Sequence, residues 1–132
     1  MDRQVTERKL ESLRHCVQRL RSRRSATAAQ LAADEDLQDL LVLNLSRAVQ
    51  LCVDLAAHRL SALNKPVPAT MGDAFTQLAA PGLLDPGLAN RLKRAVGFRK
   101  VAVHNYEVMD WDIVHALTGD PLADFDQFAA AM

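Results

Sequence analysis

The densest chemistry in this chain lies in Arg99-Lys100-Val101-Ala102-Val103-His104-Asn105-Tyr106. Tyr106 is the only tyrosine; His104 stands two residues before it and Arg99 seven before it. An arginine stays charged and can hold a phosphate or a developing oxyanion in its planar fork. A histidine titrates near neutral pH and can move protons. A phenol offers a hydrogen-bond donor, a stacking surface and a hydroxyl open to modification. Together these groups have what is needed to cleave a phosphodiester without a metal.

RNA supplies the matching substrate, because a 2′-hydroxyl stands beside each phosphate. His104 would take that proton or protonate the 5′-oxygen leaving group. Arg99 would hold the phosphate and stabilise its extra charge in the transition state. The products would be a 2′,3′-cyclic phosphate and a 5′-hydroxyl. Lys100 and Asn105 are candidates for binding or orienting the RNA, and Tyr106 for stacking on a base or positioning the phosphate. No metal or other cofactor is expected. Asp54 and His58 lie four apart on one helix face, but no second carboxylate–histidine pair exists to complete a ligand set. A hydrogen-bonded helical pair is the better reading of those two.

On a regular helix, advancing about 100° per residue, Arg99 and Tyr106 share a face while His104 points about 140° from Arg99. Convergence of Arg99 and His104 then needs the reach of the arginine, or a π-bulge that brings them to within about 40°, or a symmetric dimer with two copies of the stretch facing each other. The first two solutions are available within one chain.

Arg-x4-His-x-Tyr resembles the signature of the HepT-like ribonuclease toxins of the HEPN superfamily. The similarity extends through Leu45-Ser-Arg-Ala-Val-Gln-Leu-Cys-Val-Asp-Leu-Ala-Ala-His58, Phe75-Thr-Gln-Leu78, Gly82-Leu-Leu84 and Val96-Gly-Phe-Arg99, so it covers most of the chain after about Asp36. Lys100 departs from it, standing where the family usually has Asn. The resemblance implies one HEPN domain over residues 1–132, an active cleft built by a homodimer, and catalysis by Arg99 and His104. It also implies a partner, a small nucleotidyltransferase antitoxin of the MNT type encoded alongside, which transfers AMP onto Tyr106. Adding a charged nucleotide there would block RNA by bulk and repulsion. With Lys100 in the Asn position, the alternative is a non-catalytic HEPN-like module that binds RNA, nucleotide or a nucleotidyltransferase.

The elements that must position this stretch read as helices. Of 132 residues 49% are apolar but only 5% aromatic, and the dominance of alanine and leucine favours helix. Leu10, Leu13, Val17 and Leu20 form one stripe, which predicts a helix from about Thr6 to Arg24. Leu37 to Leu55 is apolar on so many sides that a second helix, about Asp36 to Leu63, must be covered by several partners. Two prolines in Lys65-Pro-Val-Pro68 break it. A short helix carrying Met71, Phe75 and Leu78 follows, with Thr70 as cap. Asp85-Pro86 starts the helix that leads into the motif. Asp110 caps a last helix that Gly119 and Pro121 kink or interrupt. The expected architecture is an all-α, HEPN-type antiparallel bundle of four to five helices.

Net charge is zero, which argues against a protein that coats DNA, yet the basic residues cluster. Arg91 to Lys100 holds five of the 16, beside the motif, where they would suit a polyanion. Cys16 and Cys52 read as small buried hydrophobes of a reducing compartment. No run of 18 apolar residues and no apolar leader core is present, so a cytoplasmic location with no membrane partner is expected.

Overall fold

The computed structural model describes residues 3–132, all helix and connecting turns. Helix α1 (Arg3–Arg23) buries Leu13, Val17 and Leu20 of the predicted stripe, with Cys16 beside them, against α3 (Glu35–Ala62), while Leu10 is partly buried. Between them sits α2 (Ala28–Ala32), a helix that no apolar stripe predicts. It is held by a capping box: Thr27 Oγ1 accepts from the Gln30 backbone N–H, and the Gln30 side chain accepts from the backbone N–H of Thr27. Five residues are too few to show a periodicity, so only the cap betrays this helix.

Helix α3 is the spine of the bundle. Asp34 caps it by accepting from the Leu37 N–H at 3.0 Å. Asn64, at φ 57, ends it in the left-handed conformation that its short polar side chain tolerates. By length and composition alone α3 could cross a membrane, but 56% of its most apolar window is buried inside the bundle. That burial is what the all-round apolar pattern required. Buried Cys52 and Cys16 are both free thiols whose ionisation burial makes harder.

Helix α4 (Asp73–Ala79) buries Phe75 and Leu78. Phe75 and Phe128 of α7 (Ala123–Ala131) meet in a T-shaped pair, with centroids 5.8 Å apart and planes at 86°. Removing such a fully buried ring costs about 3–5 kcal/mol. Met71 lies before α4 rather than on it, in the turn where Thr70 Oγ1 accepts from the Asp73 N–H. Helix α5 (Pro86–His104) starts as predicted, with Asp85 as cap and proline in the first turn. A 3₁₀ turn (Tyr106–Val108) follows, then α6 (Trp111–Leu117). Asp110 caps α6 by accepting from two backbone N–H groups. A second 3₁₀ turn (Asp120–Leu122) separates α6 from α7, where Gly119 and Pro121 predicted an interruption.

The described residues thus form seven α-helices rather than four to five. The extra segments are α2 and the α6–α7 split; the antiparallel bundle is the predicted one. Ion pairs Lys9–Asp54, Arg91–Asp124 and Arg21–Asp126 lace its outside.

Candidate active site

Helix α5 carries the basic half of the motif. Its first three turns bury Leu88, Ala89 and Leu92, whereas beyond Leu92 only Ala102 is buried. The C-terminal half therefore has much of its circumference open. Arg99, Lys100 and His104 line one groove there, of about 490 Å³, together with Lys93 and Val96 of the same helix. The opposite wall is Thr70-Met71-Gly72, ahead of α4. Gly72 is buried, and a Cβ on it would lie 2.9 Å from Lys93 Cγ. The missing side chain is what lets the lysine stem lie against the loop.

Arg99 and His104 thus line the same open groove within a single chain. The π-bulge is not the reason. The helix stays α-helical through His104, and the Asn105 N–H donates to the Val101 carbonyl at 2.8 Å, a regular closing bond. Arg99 and His104 both border the groove with the helix unbroken. Arg99 is half-buried, its Nη1 lies 4.0 Å from Met71 Sδ, and its Nε is buried with no hydrogen-bond partner. An unpartnered buried donor costs free energy, so no internal hydrogen bond explains this placement of the cation.

The local charge is one-sided. Of the five basic residues from Arg91 to Lys100, Arg91 is paired with Asp124 at 3.0 Å. Lys93, Arg94, Arg99 and Lys100 make no ion pair among the described residues. Three of these four unpaired cations face the groove. Such a surface attracts a polyanion despite the zero net charge.

The Asn105-Tyr106 end of the motif goes elsewhere. Asn105, with φ −150 and ψ 50, leaves the helix, so Tyr106 does not share the Arg99 face as an unbroken helix would require. Neither Asn105 nor Tyr106 lines the groove; Asn105 is exposed at its His104 end. Tyr106 Oη donates a 2.8 Å hydrogen bond to Asp39 Oδ1 of α3. Its ring meets the edge of half-buried Trp111, centroids 5.9 Å apart at 67°. Burial, then the Asp39 hydrogen bond and the nearby Asp39 and Glu35 charges, push the phenol up to about 12. The sequence pattern does not assign Asp39, Trp111 or Gly72 to the site, and it marks Thr70 only as a helix cap. The acidic run Asp34–Asp39 was visible, but nothing in one dimension links it to a tyrosine 67 residues on.

The Asp54–His58 spacing leads to no metal cluster. Asp54 accepts from Gln50 at 2.8 Å and from Lys9 at 3.4 Å, and no group of three or more metal-ligating side chains occurs among the described residues.

A helical bundle with this motif at the end of its fifth helix, α5, is the arrangement expected of a HEPN-type protein. A family model described as ribonuclease HepT-like matches residues 13–132, and the chain belongs to that family. It is 34% identical over 120 residues to the mRNA nuclease HepT of Shewanella oneidensis, covering 91% of this chain and 90% of the relative. Among solved structures it is similar to a toxin–antitoxin with AMP-PNP, at TM-score 0.91 and 31% identity over 97% of this chain and 96% of that one. It is similar as well to the tri-AMPylated HEPN toxin of Shewanella oneidensis in complex with MNT antitoxin, at TM-score 0.90 and 32% identity over 99% and 97% of the two chains.

Proposed function

We propose that this protein is the toxin of a toxin–antitoxin pair and acts as a metal-independent RNA endonuclease through its Arg99-x4-His104-x-Tyr106 motif, with residues 1–132 forming one HEPN domain. The observation that carries the reading is the shared groove of Arg99 and His104, lined by unpaired cations. The names of its relatives, an mRNA nuclease and a HEPN toxin held by an MNT antitoxin, support the same reading.

In this reading Lys93 and Lys100 hold neighbouring phosphates of the RNA, and Asn105 orients the strand at the His104 end. Arg99 binds the scissile phosphate through its guanidinium, which makes no ion pair among the described residues. His104, exposed on the rim, withdraws the 2′-hydroxyl proton or delivers one to the 5′-oxygen. Oxygen attack on phosphorus closes the cyclic phosphate and expels the 5′-hydroxyl strand. The extra charge that builds on the phosphoryl oxygens is met by a guanidinium already in place, so little reorganisation is needed.

A homodimer would complete the cleft. Val101 and Val103 at the end of α5, and Val108 and Ile113 after it, are exposed, apolar side chains left without cover in the monomer. A second copy seated there would bring two His104 residues to one strand of RNA.

Neutralisation runs through a nucleotidyltransferase partner that adds AMP to Tyr106. The hydroxyl lies at the surface, two residues beyond His104, so a nucleotide attached there would crowd the groove mouth and repel RNA. Co-expression of the chain with the nucleotidyltransferase from its own locus tests the pairing. Mass spectrometry is expected to find adenylate on the Tyr106 peptide, together with loss of toxicity. Full neutralisation with Tyr106 unmodified would show inhibition by binding alone.

A further inference from the structure

The hydrogen bond from Tyr106 to Asp39 plays no part in RNA cleavage as described above. It joins the motif turn to the first turns of α3, far along the chain. Glu35 and Asp39 are four apart, so both carboxylates lie on one face of α3, and both charges act on the phenol. Trp111 holds the ring from another side, while the residue stays 36% exposed. The hydroxyl is therefore fixed in direction, reachable from solvent, and already bonded to a carboxylate.

Phenol chemistry gives this contact a consequence. With its ionisation pushed up to about 12, Tyr106 carries its proton at neutral pH. A phenol attacking phosphorus must lose that proton as the new bond forms. Among the described residues Asp39 is the acceptor already in place, its Oδ1 2.8 Å from the oxygen that would attack.

We propose that Asp39 is the general base for modification of Tyr106, so that the toxin chain itself carries one of the catalytic groups of its own neutralisation. This rests on the reading of Tyr106 as the residue that receives AMP. In the step, Tyr106 Oη attacks the α-phosphorus of ATP held by the nucleotidyltransferase. The bond from the α-phosphorus to its bridging oxygen breaks and pyrophosphate leaves. The phenolic proton passes to Asp39 and then to solvent, leaving a tyrosyl–AMP phosphodiester. Once the phenol is esterified its donor is gone, and an adenylate phosphate stands beside Asp39 and Glu35. Like charges then drive the modified side chain away from α3. The modification thus releases the turn that follows His104 as well as adding bulk.

The test uses the chain purified with its own nucleotidyltransferase partner, with ATP and Mg²⁺, comparing wild type, Asp39→Asn and Asp39→Glu. Asparagine keeps an oxygen that accepts the same hydrogen bond but cannot take the proton. The rate of adenylate transfer is expected to fall about a hundredfold in Asp39→Asn, with the complex intact and the rate partly restored in Asp39→Glu. The deficit should narrow as pH rises towards the ionisation of the phenol, because a phenolate needs no base. Transfer at the wild-type rate in Asp39→Asn, a deficit constant across pH, or loss of the complex would each overturn the proposal. If wild-type Tyr106 takes no adenylate, the reading of Tyr106 as the acceptor fails first. If it does and Asp39→Asn matches it, only the role of Asp39 fails.

Discussion

Replacing Arg99 with lysine separates a functional arginine from a structural one. The substitution keeps the positive charge and most of the aliphatic stem but removes the fork and the buried Nε. Arg99 makes no ion pair among the described residues; its one polar contact is the weak approach to Met71 Sδ at 4.0 Å. Little folding energy is therefore lost. The unpartnered Nε is a desolvated donor of the kind that costs about 1–3 kcal/mol, and its removal offsets the lost packing. Stability in urea unfolding should stay within about 1 kcal/mol of wild type, with a gain the more natural sign. Catalysis should move the other way. Losing one preorganised donor to a developing phosphoryl charge costs about a hundredfold in kcat, equivalent to about 2.7 kcal/mol. Single-turnover cleavage of a defined RNA, run beside the unfolding curves, reads both quantities. Activity that falls only as stability falls would make Arg99 a structural residue. Activity retained by lysine would mean that point charge suffices and the fork has no role.

Two further outcomes follow from the same geometry. Lys93→Ala and Lys100→Ala should each weaken RNA binding across sequences and lower the slope of log affinity against log salt by about one, read by fluorescence anisotropy; unchanged slopes would remove these lysines from the RNA path. The single tyrosine makes ultraviolet titration of the phenol clean. Its folded pKa, about 12 against a usual 10.0, is raised, so the contribution of the protonated form to stability is fully present below pH 10.0 and is lost as pH climbs through 12. Asp39→Asn should titrate lower than wild type, and coincident curves would mean that the carboxylate does not hold the proton on Tyr106.

Much of this arrangement is legible in the sequence because it is local. The apolar stripe of α1, the Asp85-Pro86 start of α5 and the Asp110 cap are short-range patterns that the bundle has no reason to overrule. The need for Arg99 and His104 to share an opening was legible, and the two border one groove on an unbroken helix, without the π-bulge. What stayed hidden depends on chain ends meeting. Asn105 leaves the helix one residue after His104, so the Arg99–Tyr106 face predicted from periodicity never forms. Asp39 becomes a partner of Tyr106 only because α3 and the motif turn are packed together. Gly72 matters for the space it leaves to Lys93, which no spacing rule detects. Helix α2 is too short for periodicity and rests on its cap.

The most direct test of the central claim is cleavage of a defined RNA by the purified protein in excess chelator, comparing wild type with His104→Ala. Wild type should cut and leave 2′,3′-cyclic phosphate and 5′-hydroxyl ends, and His104→Ala should bind the RNA but leave it whole. Undiminished cleavage by His104→Ala, or cleavage by wild type only when a divalent metal is restored, would contradict the account.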